Sequence, residues 1–351
     1  MSLASSIRRL AVAATVGTVI AAGPALAQGQ PFRLIVVEPT TPLVLNSVMW
    51  LAEQLGYYEQ EGVDVELVPV NDTPTAVAAL IAGQGDMANV SLTAALGMVA
   101  QNLLPIKAVV SPDKFLPFSI VASNAIQSPA DLAGKTFGVA AIGSLDYTLT
   151  NLVFAAIGVD PASVTFVAVG PPAQRGAALI AGQIDATTMS IGTYLGLEDK
   201  SNIQVLVPVD QYLMHAGILN KVNVVPDSVL TERRDDVVAV VRALTRAARD
   251  FAADPQLWID AMIVARPDYD PANLAILAEQ FRCAWSVNGG MDEPTITTGT
   301  TDAYGTADLA GMRMVEIGEW VDFTVADDAN EALGGVMAAT EACPALDPAG
   351  R

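Results

Sequence analysis

One histidine, His215, and two cysteines, Cys283 and Cys343, are all that a chain of 351 residues provides. A zinc site, or a Cys/His or Ser/His nucleophilic pair, has little material to be built from. Basic residues are scarce, 18 Lys and Arg against 38 Asp and Glu, for a net charge of −20. Such a surface repels nucleic acid and anionic lipid, so neither is expected as a partner. Phosphate-binding and hydrolase signatures are missing too. There is no G-x-S-x-G elbow and no G-x-G-x-x-G after a strand. Gly134-Lys135-Thr136 looks like the end of a phosphate-binding loop, but Pro129 stands where the opening glycine belongs, and a strand follows instead of a helix. The chain is therefore read as a non-enzyme, with no cofactor and no metal.

Long apolar runs are confined to the N-terminus; no later segment offers the roughly 20 apolar residues of a membrane span. Arg8 and Arg9 precede the apolar run Leu10–Ala22, and Gly23-Pro24 breaks it before Ala25-Leu26-Ala27. That is the layout of a secretory signal, residues 1–27, cleaved after Ala27, and it implies a periplasmic protein. In an oxidising compartment Cys283 and Cys343 could form one disulfide tying a C-terminal loop to the preceding helix, two buried thiols being the alternative.

The mature chain alternates short apolar runs with helical patterns. Strands are expected at 33–38, 63–70, 86–90 and 106–110, with helices at 45–56, 74–82 and 92–101. The series restarts with strands at 136–140, 164–169 and 184–189 and helices at 144–157 and 172–181. This is the rhythm of βα units around a mainly parallel sheet. The heptapeptide AALIAGQ occurs twice, at Ala78–Gln84 and Ala177–Gln183, and Asp86/Asp185 and Ser91/Ser190 follow in step. Two copies are too few for a solenoid and fit two matching α/β lobes. Gly83 and Gly182 are expected as helix C-caps, and the two aspartates as turn residues. From Val225 onward helices alone are expected, at 230–253, 255–264, 271–284 and 306–320, with a polar loop at 288–302.

LGYYEQEGVDVELV (Leu55–Val68), ALIAGQGDMA (Ala79–Ala88), DLAGKTFGV (Asp131–Val139) and ALIAGQIDAT (Ala178–Thr187), in this order, resemble the solute-binding proteins of ABC importers. Within that group they resemble the nitrate/sulfonate/taurine and pyrimidine-precursor branch, over roughly 33–253. The resemblance implies an α/β protein of the type II periplasmic-binding-protein fold, with two lobes joined by two hinge crossovers. Residues 28–113 plus 218–351 would form lobe 1, carrying the helical tail, and 114–217 lobe 2. The crossovers would lie near Ser111–Phe118 and Asp210–Leu219. A monomer is implied, delivering a small-molecule ligand to an ABC permease with its ATPase. A sensor subunit for a membrane kinase is the alternative. A pyrimidine-precursor synthase shares the fold, but its cysteine-rich iron-binding motif is missing here.

Ligands in open α/β sheets sit beyond the carboxyl ends of strands. By position, the pocket should draw on Glu38, Thr40 and Thr41 after the first strand, and on Asn89 and Ser91 after the third. The other lobe should supply Gly143, Ser144, Asp146 and Tyr147, then Thr188 and Ser190. His215 is added by its place near the second crossover. Ser91 and Ser190 are expected at the start of a helix, as N-caps and as facing borders of one cleft. These segments hold Glu38 and Asp146 but no Lys or Arg, Lys114 and Arg175 being only nearby. Helix N-termini and hydroxyls suit a sulfonate or a carboxylate, but these residues fit a neutral or zwitterionic organic ligand, with an amine or a heteroaromatic ring, better than a simple inorganic anion.

Overall fold

The computed structural model describes residues 30–113, 116–216 and 219–338. The expected leader, Lys114 and Cys343 lie outside these residues. Ten strands are present among them: β1 (Phe32–Val37), β2 (Val65–Val70), β3 (Met87–Ser91), β4 (Ile106–Val110), β5 (Phe118–Ser123), β6 (Thr136–Val139), β7 (Thr165–Ala168), β8 (Ala186–Ser190), β9 (Ile203–Val207) and β10 (Lys221–Pro226). They form two five-stranded sheets of matching order, β2-β1-β3-β10-β4 and β7-β6-β8-β5-β9.

β1 runs parallel to β2 and β3, as β6 does to β7 and β8. Phe32, Leu34, Ile35 and Val36 of β1 are fully buried, as expected of a strand covered on both faces. The fourth strand of each sheet is antiparallel to both neighbours: β10 between β3 and β4, β5 between β8 and β9. The chain leaves the first sheet after β4 and opens β5 in the second. It returns after the Val209–Ala216 helix to open β10. β5, β9 and β10 lie outside the strands expected from periodicity, although the Val209–Ala216 and Asp227–Glu232 helices follow β9 and β10 directly.

The repeated heptapeptide builds the same joint twice. It ends the Thr73–Ile81 and Pro172–Ile180 helices, and Gly83 and Gly182 turn the chain at φ 69° and 68°. Only a residue without Cβ takes this left-handed conformation freely. The Asp86 carboxylate accepts from the Arg33 amide at 2.8 Å, and the Asp185 carboxylate from the Thr136 amide at 2.8 Å. Each aspartate thus pins its helix-turn to the start of its sheet's second strand in spatial order.

The tail packs on the first sheet. In the Arg234–Ala253 helix Val237, Val240, Val241, Leu244, Ala248 and Phe251 form a buried stripe at helical spacing. That stripe shares one core with Phe32, Leu34 and Val36 and with Trp258, Phe281 and Trp285. Further on, the sequence expectation is reversed. The polar segment expected as a loop is a helix, Glu293–Tyr304, capped by Asp292, whose side chain accepts from the Thr295 amide at 3.0 Å. Ile296, Gly299, Thr300 and Ala303 are its buried face, a stripe of small and β-branched residues that reads as polar in sequence. The helix expected over 306–320 is only a short 3-10 turn, Ala307–Leu309, and a four-residue helix, Ile317–Trp320. Gly311, at φ 75°, breaks it.

Candidate ligand-binding site

A cleft of about 70 Å3, open to solvent, lies between the carboxyl ends of strands from both sheets. Glu38 follows β1, Asn71, Asp72 and Thr73 follow β2, and Lys221 opens β10; these line it from the first sheet. Ala140 and Ser144 to Asp146 follow β6, Arg175 follows β7, and Ser190 ends β8; these line it from the second. Leu43, Val44, Leu116, Phe118 and Leu145 give it apolar walls.

Its charges are mostly engaged. Arg175, 3% exposed, donates from Nε to the Thr187 hydroxyl at 3.1 Å, from Nη1 to the Gly170 carbonyl at 2.7 Å, and from Nη2 to the Thr188 carbonyl at 3.1 Å. Its Nη1 also lies 3.5 Å from Asp146 Oδ2, which accepts from the Ala140 amide at 2.8 Å. Such a fork is held by its own lobe and leaves a ligand few free donors. Lys221, 4% exposed, gives its ammonium to the side-chain oxygen of Asn46 at 3.2 Å, in the amide orientation that Asn46's neighbours require. In that orientation the Asn46 nitrogen donates to Asp113 Oδ1 at 2.9 Å. Burial pushes the Lys221 ammonium below its ordinary pKa, against the pull of Asp113, Glu38 and Asp146.

Glu38 is the exception. No hydrogen-bond donor of the described residues reaches its carboxylate, and its backbone sits at φ 94°, in the left-handed region that non-glycine residues avoid. Burial raises its pKa above the ordinary carboxylate value, offset by Lys221, Arg175 and Arg266 and reinforced by Asp146. Strained backbone and an unpartnered carboxylate at one residue are the marks of a functional position. The Ser144 hydroxyl, buried at the cleft wall, also has no partner among the described residues.

Of the residues expected by position, Glu38, Ser144, Asp146 and Ser190 come together in the cleft. Ser91 and Ser190 cap their helices alike, accepting from the Ala94 and Thr193 amides at 3.3 and 3.1 Å, but only Ser190 reaches the cleft. Ser91 is fully buried. Asn89 is buried as well, donating to Asn223 across the β3–β10 pair at 2.7 Å and bonding the Asp113 carboxylate. Thr188 lies beneath the wall, its hydroxyl 2.7 Å from that of Thr150. Tyr147 packs edge-on against Phe166, ring centroids 5.0 Å apart. Thr40 is exposed, while Thr41 is buried and accepts from Arg266 through its carbonyl at 3.1 Å. Gly143, at φ 82°, is absent from the cleft wall, and a Cβ there would lie 3.9 Å from Pro74. His215 is partly buried in the last turn of its helix and is absent from the cleft wall. Two cations that position alone did not place there, Arg175 and Lys221, line the cleft instead.

Beside the cleft the two halves touch directly. Tyr269, ahead of the Pro271–Phe281 helix of the tail, donates its hydroxyl to the Gly192 carbonyl at 2.7 Å. Gly192, at the start of the helix after β8, lies against Leu43 and Leu277. Across the interface Thr148 donates to Asp308.

Residues 47–257 match the family described as NMT1/THI5 like. The chain belongs to the NMT1/THI5-like family. A formylaminopyrimidine-binding protein of Halalkalibacterium halodurans is 26% identical over 305 residues, covering 83% of this chain and 87% of that protein. Among solved structures, the alkanesulfonate-binding protein SsuA of Xanthomonas axonopodis pv. citri, bound to MOPS, superposes with a TM-score of 0.69 at 20% identity, over 85% of this chain and 99% of that one. The periplasmic nitrate-binding protein NrtA of Synechocystis PCC 6803 gives 0.71 at 12% identity, over 87% and 89%. These relatives are binding proteins, and the NMT1/THI5-like chain shares their periplasmic binding-protein fold, as the resemblance implied.

Proposed function

We propose that this chain is the substrate-binding component of an ABC importer. It captures a small organic solute between two lobes and delivers it to a membrane permease with its ATPase. The observation that carries the reading is a cleft whose walls come from both sheets, at the carboxyl ends of their strands, in a chain of this family. Residues 28–113 plus 218–351 act as one lobe and 114–217 as the other, closing about the two crossovers. The leader 1–27 takes the protein to the periplasm, where it works as a monomer and carries out no reaction.

The ligand is an organic solute with an amine or a heteroaromatic ring. Glu38 offers an acceptor without a donor, and apolar walls offer a flat-ring surface, while Arg175 and Lys221 are already paired inside the protein. The likeness to a formylaminopyrimidine-binding protein supports this choice over nitrate or a simple sulfonate. Mass spectrometry of the ligand released by denaturing the purified protein tests it. An amine or heterocycle is expected; recovery of an inorganic anion alone would sink the assignment. Ser190→Ala and Ser144→Ala should each weaken rebinding of that compound without unfolding the protein.

A further inference from the structure

Asp113 lies behind the cleft wall, fully buried, in the segment that leaves β4 for the second sheet. Lys221 opens β10, in the segment that returns. The two segments are tied side by side, the Ser111 hydroxyl donating to the Lys221 carbonyl at 2.7 Å. Asn46, 2% exposed, is wedged between the two side chains, its nitrogen toward Asp113 and its oxygen 3.2 Å from the Lys221 ammonium. On its other side Lys221 meets the cleft, beside Glu38. A carboxylate outside the cleft is thus linked through Asn46 to a cation that lines it.

Resting on the reading of the cleft as the ligand site, we propose that Asp113 determines specificity from outside it, by holding Lys221 through Asn46 and so denying the cleft an anion receptor. Without Asp113, Lys221 would be a buried, dehydrated amine that holds its proton best with another anion beside it, the kind of group that draws a sulfonate or carboxylate as its counter-ion. With Asp113 in place its positive charge is spent inward. Glu38 then leaves the ligand side of the wall acceptor-rich. Asp113 is a positioning residue, and Asn46 is the bridge through which it acts. The charged groups facing Lys221 are Asp113, Glu38 and Asp146, and Asp146 is held by Arg175. Those facing Asp113 are Lys221 and Glu38. Burial lifts the Asp113 carboxyl to about 7, against the pull of Lys221 and the Asn89 hydrogen bond, so the hold weakens in mild acid.

The test is isothermal titration of the mature chain with methanesulfonate, in low salt at pH 8. Asp113→Asn should bind methanesulfonate at least tenfold more tightly than the native chain. Asp113→Asn with Lys221→Met should return to the native value, a rescue that general loosening of the fold would not produce. A folded Asp113→Asn protein whose methanesulfonate affinity stays within twofold of native overturns the proposal. If Asp113→Asn does not accumulate, Glu38→Gln gives the same answer with Asp113 intact. Affinity should then rise at least tenfold from pH 8 to pH 5.5, and a flat profile overturns the proposal. Methanesulfonate binding that persists when Ser190→Trp fills the cleft would instead refute the reading of the cleft, and is separable on that ground.

Discussion

Gly192→Ala isolates the contact between the two halves from the ligand itself. The residue sits in the short Ile191–Leu195 helix, so alanine suits its backbone, and only the neighbours object. An added Cβ would meet Leu43 Cβ and the Leu43 carbonyl at 2.7 Å, and Leu277 Cδ1 at 3.1 Å. Ordinary carbon contacts lie near 3.5–4.0 Å, so the helix must retreat by about 1 Å. Overpacking of this kind costs about 1–3 kcal/mol, and the buried Tyr269–Gly192 hydrogen bond contributes about 1 kcal/mol more. Both losses fall on the arrangement in which the lobes touch. A loss of about 2 kcal/mol raises Kd roughly 30-fold. Calorimetric titration with the co-purified ligand reads this, and thermal unfolding of the ligand-free protein should scarcely change. Gly182→Ala is the control: nothing lies within 4 Å of its Cβ, but its φ of 68° strains any side chain. It should lower stability by about 1 kcal/mol and leave Kd alone. Native affinity in Gly192→Ala would show that the contact plays no part in binding.

Arg175→Met removes three hydrogen bonds and leaves Asp146 buried without its cation, a change of about 3–5 kcal/mol; denaturant unfolding of the free protein showing less than about 1 kcal/mol would contradict it. Asp185→Ala frees the Thr136 amide and hydroxyl from their acceptor and should cost about 1–3 kcal/mol in the same assay, with ligand affinity unchanged in the protein that remains folded. Burial holds Asp113 near 7 against its ordinary 3.8, so the folded state binds a proton that the unfolded state releases between those values. Its contribution to stability is therefore full below about pH 4 and lost as pH rises through 7, on the order of 4 kcal/mol. Thermal melts should show the native chain declining relative to Asp113→Asn between pH 5 and pH 8; parallel profiles would refute the assignment.

The alternation of βα units and the doubled AALIAGQ made the parallel part of both sheets legible in sequence, because short apolar or alternating runs recur between helical patterns. The antiparallel strands escaped. β10 reads KVNVVP, with a lysine at its head, a buried asparagine inside it and a proline at its end, so no uninterrupted apolar run marks it. Missing β10 hid Lys221. Four cleft residues were legible because they occupy strand ends, where position alone is informative. Arg175 was not, for a different reason: its counterpart in the first copy of the repeat is Ala76. A repeat draws attention to what its copies share, whereas the cleft takes its charge from where they differ. The Thr-rich helix Glu293–Tyr304 misled because its buried face is made of small residues whose packing only the fold reveals.

The inserted strands also set an order of folding. β3 and β4 have no partner in common until β10 is laid between them, and β10 lies more than a hundred residues beyond β4. The second sheet needs nothing outside residues 118–207, so its pairings can all form while the first sheet still has an open seam. Closing a long loop is slow compared with local pairing. Loop-closure entropy alone thus favours pairing of the second sheet before the first. The first sheet therefore cannot close until residues 221–226 are available, whereas the second can close from residues 118–207 alone.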